Sequence, residues 1–146
     1  MTRILRATLL GLAMLAVAVP ARRAAAQGFT LVVNAANSAS SVSRDEAAMI
    51  FLKQRLTWSN GQRVVPVDLA KASNARMAFS KQVLGRSVSG VTSYWQGQIF
   101  AGGAQPPAER ASDAEIVAFV RANPNAVGYV SAGTALPDGV KTLALK

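Results

Sequence analysis

Apolar positions come in short, differently spaced runs along the chain. "FTLVVN", Phe29–Asn34, is rich in β-branched and aromatic residues and predicts a first strand. A loop of small polar residues follows. In "SRDEAAMIFL", Ser43 and Glu46 have capping-box spacing, and Ala47, Ile50 and Phe51 form an apolar helical stripe. Asp45 and Glu46 suit the positive end of that helix. Asn60-Gly61 signals a turn, and "RVVPV", Arg63–Val67, a short strand whose Pro66 points to an edge position or a strand end. A helix opening at Ser73 carries Met77, Phe79, Val83 and Leu84 and ends at Gly85. Val88–Phe100 predicts another, with Val91, Tyr94, Trp95 and Ile99 on one face. "AGGAQPPAER" reads as a Gly/Pro loop. "SDAEIVAFVRANP" repeats the capping spacing at Ser112 and Glu115, buries Ile116, Phe119 and Val120, and stops at Pro124. "AVGYVS" and "VKTLAL" are the last strands, the second after a Pro137-Asp138-Gly139 turn. The order β-α-β-α-α-α-β-β predicts an α/β fold in which helices flank a central sheet.

The start of the chain has a different pattern. Arg3 and Arg6 precede the apolar run Ala7–Val19, which is shorter than the about 20 residues of a membrane-spanning helix. Ala24 and Ala26 then have the spacing of an A-x-A cleavage signal. The expectation is a signal peptide over residues 1–26, a single domain over 27–146, and a periplasmic location. Arg22 and Arg23 keep two alternatives open, cleavage after Ala21 and retention as a weak anchor. Four of the chain's 16 basic residues lie in this segment, so residues 27–146 carry 12 against 7 acidic residues, a net +5. That charge suits anionic ligands or an ordinary soluble surface. No Lys/Arg run interleaved with aromatics occurs, which argues against nucleic acid.

The residue inventory excludes much chemistry. The chain has no His and no Cys, so His-dependent nucleophile systems, the usual zinc sets, disulfides and a lipoprotein anchor are ruled out. "GRSVSG" has the spacing G-x-S-x-x-G instead of G-x-S-x-G and offers no base for Ser87. A phosphate-binding loop of the type G-x-x-x-x-G-K does not occur, and no cofactor is expected. Of the seven carboxylates, only Asp68 falls at a strand end, where active-site carboxylates often sit. The chain reads as a non-enzyme.

The junction "VDLAKASNARMAF", Val67–Phe79, stands out. A strand runs into a helix with Ser73 at the N-cap and with Lys71 and Arg76 on either side. Helix N-termini favour anions through free N–H groups and the helix dipole. Ser73 is read either as a cap alone or as a cap that also meets an anion. Lys71 and Arg76 are read as a solvated basic rim or as anion contacts. Asn74 is an oxygen-ligand donor or a plain first-turn residue. Ser40 and Ser41 read as a polar loop, and Trp58 and Trp95 as core anchors.

The ordered pieces "LVVN", "SRDEAAMIFLKQRLTWSNGQRVVPVD", a Ser-led helix and "SDAEIVAFVRANPNAVGYV" resemble the phosphate-type periplasmic substrate-binding proteins of ABC transporters. "IFLKQRLTWSNG" is similar to that family's helix running into a Gly-Lys-x-x-x-Trp turn, and "VRANPNAVGYV" to its Pro-Gly-Ala-Ile-Gly-Tyr-Val stretch. The resemblance covers roughly Phe29–Val130 and implies a single lobe of a two-lobed, type II periplasmic-binding-protein-like fold. The family's anion motif on this lobe, Arg-x-x-Gly-Ser-Gly-Thr, maps onto Leu69, Ala72, Ser73, Asn74 and Ala75. Only Ser73 matches. The resemblance therefore implies phosphate or a similar oxyanion as ligand, met by Ser73 and the helix-start N–H groups; Lys71, Asn74 and Arg76, at positions the motif does not use for these roles, are the candidate residues to make up the lost donors. It also implies a transporter as partner, with a second wall supplied by another protein or by a homodimer. The competing expectation is an envelope interaction module that kept the lobe but lost tight anion binding. Phe100 and the "AGGAQPP" loop are its candidate contacts.

Overall fold

The computed structural model describes residues 27–146, so the leader segment read from the sequence lies outside the described residues. The elements are β1 (Phe29–Asn34), β2 (Ser41–Val42), α1 (Arg44–Phe51), β3 (Val65–Leu69), α2 (Asn74–Gln82), α3 (Val88–Phe100), β4 (Ala108–Arg110), α4 (Asp113–Ala122), β5 (Ala126–Ser131), β6 (Val140–Thr142) and β7 (Ala144–Leu145). Five strands form the central sheet in the order β4-β3-β5-β1-β6. β3 runs parallel to both β4 and β5, while β1 pairs antiparallel with β5 and β6. The α/β class with helices flanking a central sheet is thus as expected.

Burial on both faces explains the almost continuous apolar run of β5, the middle strand. On one face Tyr129 stacks on Phe79 of α2 at 4.0 Å between ring centroids, and Phe29 and Phe51 pack edge-on to Phe79. On the other face α4 lies so close to Gly128 that a Cβ there would meet Ile116 Cγ2 and Val67 Cγ1 at 2.9 Å. Asn34 reaches across from β1, and its Nδ2 donates to the Val120 and Arg121 carbonyls in the last turn of α4.

The caps follow the sequence closely. Ser43 and Glu46 make a full reciprocal capping box. Ser112 caps α4, but Glu115 turns back to the Ala111 N–H, one residue earlier than a reciprocal box requires. Ser87 caps α3, so the hydroxyl in "GRSVSG" accepts from the Gly90 N–H. Trp58 and Trp95 are buried core anchors, as expected, and the Trp58 indole N–H donates to the Asn125 carbonyl.

Several elements differ from the expectation. β3 lies two residues later than read, at Val65–Leu69. Pro66 sits where β4 has not yet begun to pair, since β4 joins only from Val67 onward, and its missing N–H costs the sheet nothing there. The stretch read as a Gly/Pro loop ends in β4, an exposed edge strand held by backbone pairing, with no apolar alternation to reveal it. "VKTLAL" splits into β6 on the main sheet and β7, which pairs with β2. Met77 and Ile99, expected on apolar faces, are about half exposed, and the buried face of α3 narrows to Val91 and Trp95.

Gly128→Ala should destabilise the protein by about 1–3 kcal/mol, because β-branched methyls on both sides cannot move away cheaply. Gly97→Ala, in α3 with open space around it, should instead stabilise by about 0.5–1 kcal/mol. Urea unfolding midpoints of the two variants would show opposite shifts.

Candidate functional site

The β3–α2 junction is built by two local bonds. The Ser73 N–H donates to the Ala70 carbonyl and closes the turn. Ser73 Oγ then accepts from the Arg76 N–H at 3.3 Å as the N-cap of α2. The Asn74 and Ala75 N–H groups ahead of it have no acceptor among the described residues. Lys71 and Asn74 are exposed, and Ser73 is half-buried. The junction therefore brings together Lys71, the Ser73 cap and two free amide donors.

Arg76 goes elsewhere. It is 3% exposed, which overturns the reading of Arg76 as part of a solvated rim. Its Nη1 donates to the Leu69 carbonyl at 2.7 Å and lies 3.2 Å from Asp68 Oδ1 and 3.8 Å from Glu109 Oε2. Asp68 in turn accepts from the Tyr129 hydroxyl at 2.6 Å, and that hydroxyl accepts from the Leu69 N–H. The periodicity of α2 placed position 76 correctly on the helix. What it lacked was the knowledge that Asp68, alternating with the apolar residues of β3, turns toward the same face. The opposite-charge pair spanning the strand–helix junction was the available signal.

Desolvation dominates the electrostatics of this network. Burial pushes the Asp68 carboxyl up to about 6, against the downward pull of Arg76 and of the Tyr129 hydroxyl. Burial, and next the Asp68 charge, hold the Tyr129 phenol far above its ordinary range.

Beside the network a crevice of about 420 Å³ opens between α3 and the segment leading into β4. Arg76 and Asp68 line it together with Lys71, which belongs to the junction as well. Among the described residues no group of three metal-ligating side chains occurs, and no helix is long and apolar enough to cross a membrane.

The fold is that of one lobe of phosphate-transport substrate-binding proteins. An ABC-type phosphate transport receptor from Vibrio cholerae superposes with a TM-score of 0.63 at 22% identity, over 81% of this chain and 46% of the receptor. A protein from Clostridium perfringens, assigned as a phosphate ABC transporter substrate-binding protein and solved with bound phosphate, gives 0.64 at 18% identity, over 81% and 44%. PstS from Borrelia burgdorferi gives 0.63 at 12%, over 82% and 47%. The chain thus spans about half the length of each. These are proteins of the family whose motifs the sequence resembles, and at such identities the likeness establishes the fold. No protein-family model matches the chain, and no curated protein matches it.

Because the folded pKa of Asp68 lies above its ordinary 3.8, the stability it contributes is complete below that value and is lost as pH rises through about 6. Arg76 is the main offset to that loss. Arg76→Leu should cost about 3–5 kcal/mol at pH 7.5, where it strands a buried carboxylate. The cost should be smaller at pH 5, where Asp68 takes up a proton. Urea titrations at the two pH values test this; an equal loss at both would mean the pair is not the cause.

Proposed function

We propose that this chain is an exported oxyanion-binding lobe, with a leader over residues 1–26 and one domain over 27–146, that acts in the periplasm in phosphate or similar oxyanion transport. The observation that carries this reading is the β3–α2 junction. Two unpaired helix-start N–H groups, the Ser73 cap and Lys71 meet there, on a lobe shaped like those of phosphate receptors. Asn74 stands at the first position of the helix, where its amide can add a further donor. The neighbours are transport proteins, which fits a role in binding and not in catalysis.

The affinity should be low. Arg76 spends its charge inside the core, so the anion meets two neutral amides and one lysine. At about 1 kcal/mol for each neutral hydrogen bond and about 2 for the charged one, the sum is about 4 kcal/mol, or a Kd of about 1 mM. Tight capture of a small anion needs closure from two sides, and one lobe provides one wall. A second copy or a transporter subunit supplies the other.

A second reading, the envelope interaction module, has one specific observation in its favour. Phe100, at the end of α3, is 94% exposed and adjoins the half-exposed Ile99. Recovery of a defined transporter, porin or sensor subunit with residues 27–146, lost on Phe100→Ser, would favour it.

Calorimetric titration of phosphate and sulfate into residues 27–146 tests the first reading. Lys71→Ala should weaken binding about thirtyfold. Ser73→Ala should lower stability by about 1 kcal/mol in addition to weakening the site. No heat and no rise in melting temperature at several millimolar anion would reject the oxyanion role.

A further inference from the structure

We propose that the groove between the end of α2 and the start of α3 docks an acidic segment of a partner protein, with carboxylates flanking an apolar side chain. The groove is separate from Phe100 and from the amides of the β3–α2 junction. It serves an oxyanion-binding lobe and an interaction module alike.

Charge complementarity sets the sign of the occupant. Lys71, Lys81 and Arg86 line this space of about 620 Å³, and none of the chain's seven carboxylates does. The ion pairs among the described residues form at Arg55 and Arg76, so the three groove cations keep their charges unpaired there. Arg86 is nonetheless held in position, its guanidinium carbon 5.2 Å from the centre of the Tyr94 ring. Lying over a ring uses none of the in-plane N–H donors, which match a carboxylate in pairs. Three like charges in one recess draw acidic groups. The positive end of the α3 dipole, at the Ser87 cap, adds to the same sign.

The apolar part of the lining sets the rest. Met77 and Lys81 stand four apart on α2 and so share a face. Met77 is 48% exposed, and the half-buried Val88 lines the same groove. A flexible thioether next to unpaired cations suits an apolar side chain carried between carboxylates. A bare inorganic anion would use the charges and leave Met77 and Val88 in water. An anionic membrane surface is held by clusters of about four to eight Lys and Arg, more than this groove supplies. A peptide uses both parts of the lining.

The test titrates the peptide Glu-Asp-Leu-Glu-Asp-Leu-Glu into isotope-labelled residues 27–146 and follows backbone amide signals by NMR. Saturable shifts should centre on Met77 to Ser89. The neutral peptide Gln-Asn-Leu-Gln-Asn-Leu-Gln should not bind measurably, and replacing both leucines by serine should weaken binding several-fold. Lys81→Gln combined with Arg86→Gln, both at exposed positions, should weaken the acidic peptide about tenfold without lowering the melting temperature appreciably. Met77→Ser should remove most of the preference for leucine over serine. Equal binding of the acidic and neutral peptides would overturn the proposal. So would unchanged affinity in the double variant, or shifts confined to Asn74 and Ala75, which would place the peptide on the junction. Binding of phosphatidylglycerol vesicles with no response to the peptide would overturn it in favour of a membrane surface.

Discussion

The buried chain Arg76–Asp68–Tyr129 is the constraint on which the rest depends. It ties α2 to β3 and β5 at the point where the helix starts, in the layer that also holds the Phe29, Phe51 and Phe79 rings. Such a pair need not stabilise more than an apolar replacement, because two charges lose their hydration. Its effect is on position. With Nη1 shared between Asp68 and the Leu69 carbonyl, the first turn of α2 has one orientation over the end of β3. The free N–H groups of Asn74 and Ala75 are thereby fixed in place, at the cost of the cation that would have made the strongest anion donor.

That trade accounts for the shape of the candidate site. The polar end is a helix start with one exposed lysine, and the deeper end is a crevice whose buried charges are already paired. Binding strength at such a site has to come from a surface other than the junction, a second wall. That wall lies outside the strand–turn–helix segment itself.

Much of this was legible in the sequence where local physics decides. β1, α1, α2, α3, α4 and β5 fall where apolar spacing and Ser caps place them, because those signals are local. β4, β2 and β7 were not, since short edge strands are defined by partners far along the chain. The same distinction separates the site residues. Ser73 is a cap by its own neighbours, so its position could be read directly. Arg76 looked like a surface cation because the residues leading up to it, Lys71 to Ala75, are polar or small. Its partners come from β3 and β4, and Tyr129 of β5 joins through Asp68; only the tertiary fold brings these under α2.

The departures from the family's anion motif also read differently in three dimensions. Leu69 is 1% exposed, and its carbonyl and N–H are both engaged by the Arg76–Tyr129 network. Its side chain alternates with Asp68 and turns to the opposite face of the sheet with Val67, where an arginine would bury a guanidinium away from the Asp68 carboxylate. Ala75 is 1% exposed, so a threonine there would put a hydroxyl into packed apolar surroundings that offer it no evident partner. The two substitutions are therefore not independent losses on an otherwise intact site. Once the cation sits at position 76 and pairs inward, apolar residues at 69 and 75 are what the surrounding core accepts. Restoring anion donors one residue at a time would work against the packing that now holds the lobe together.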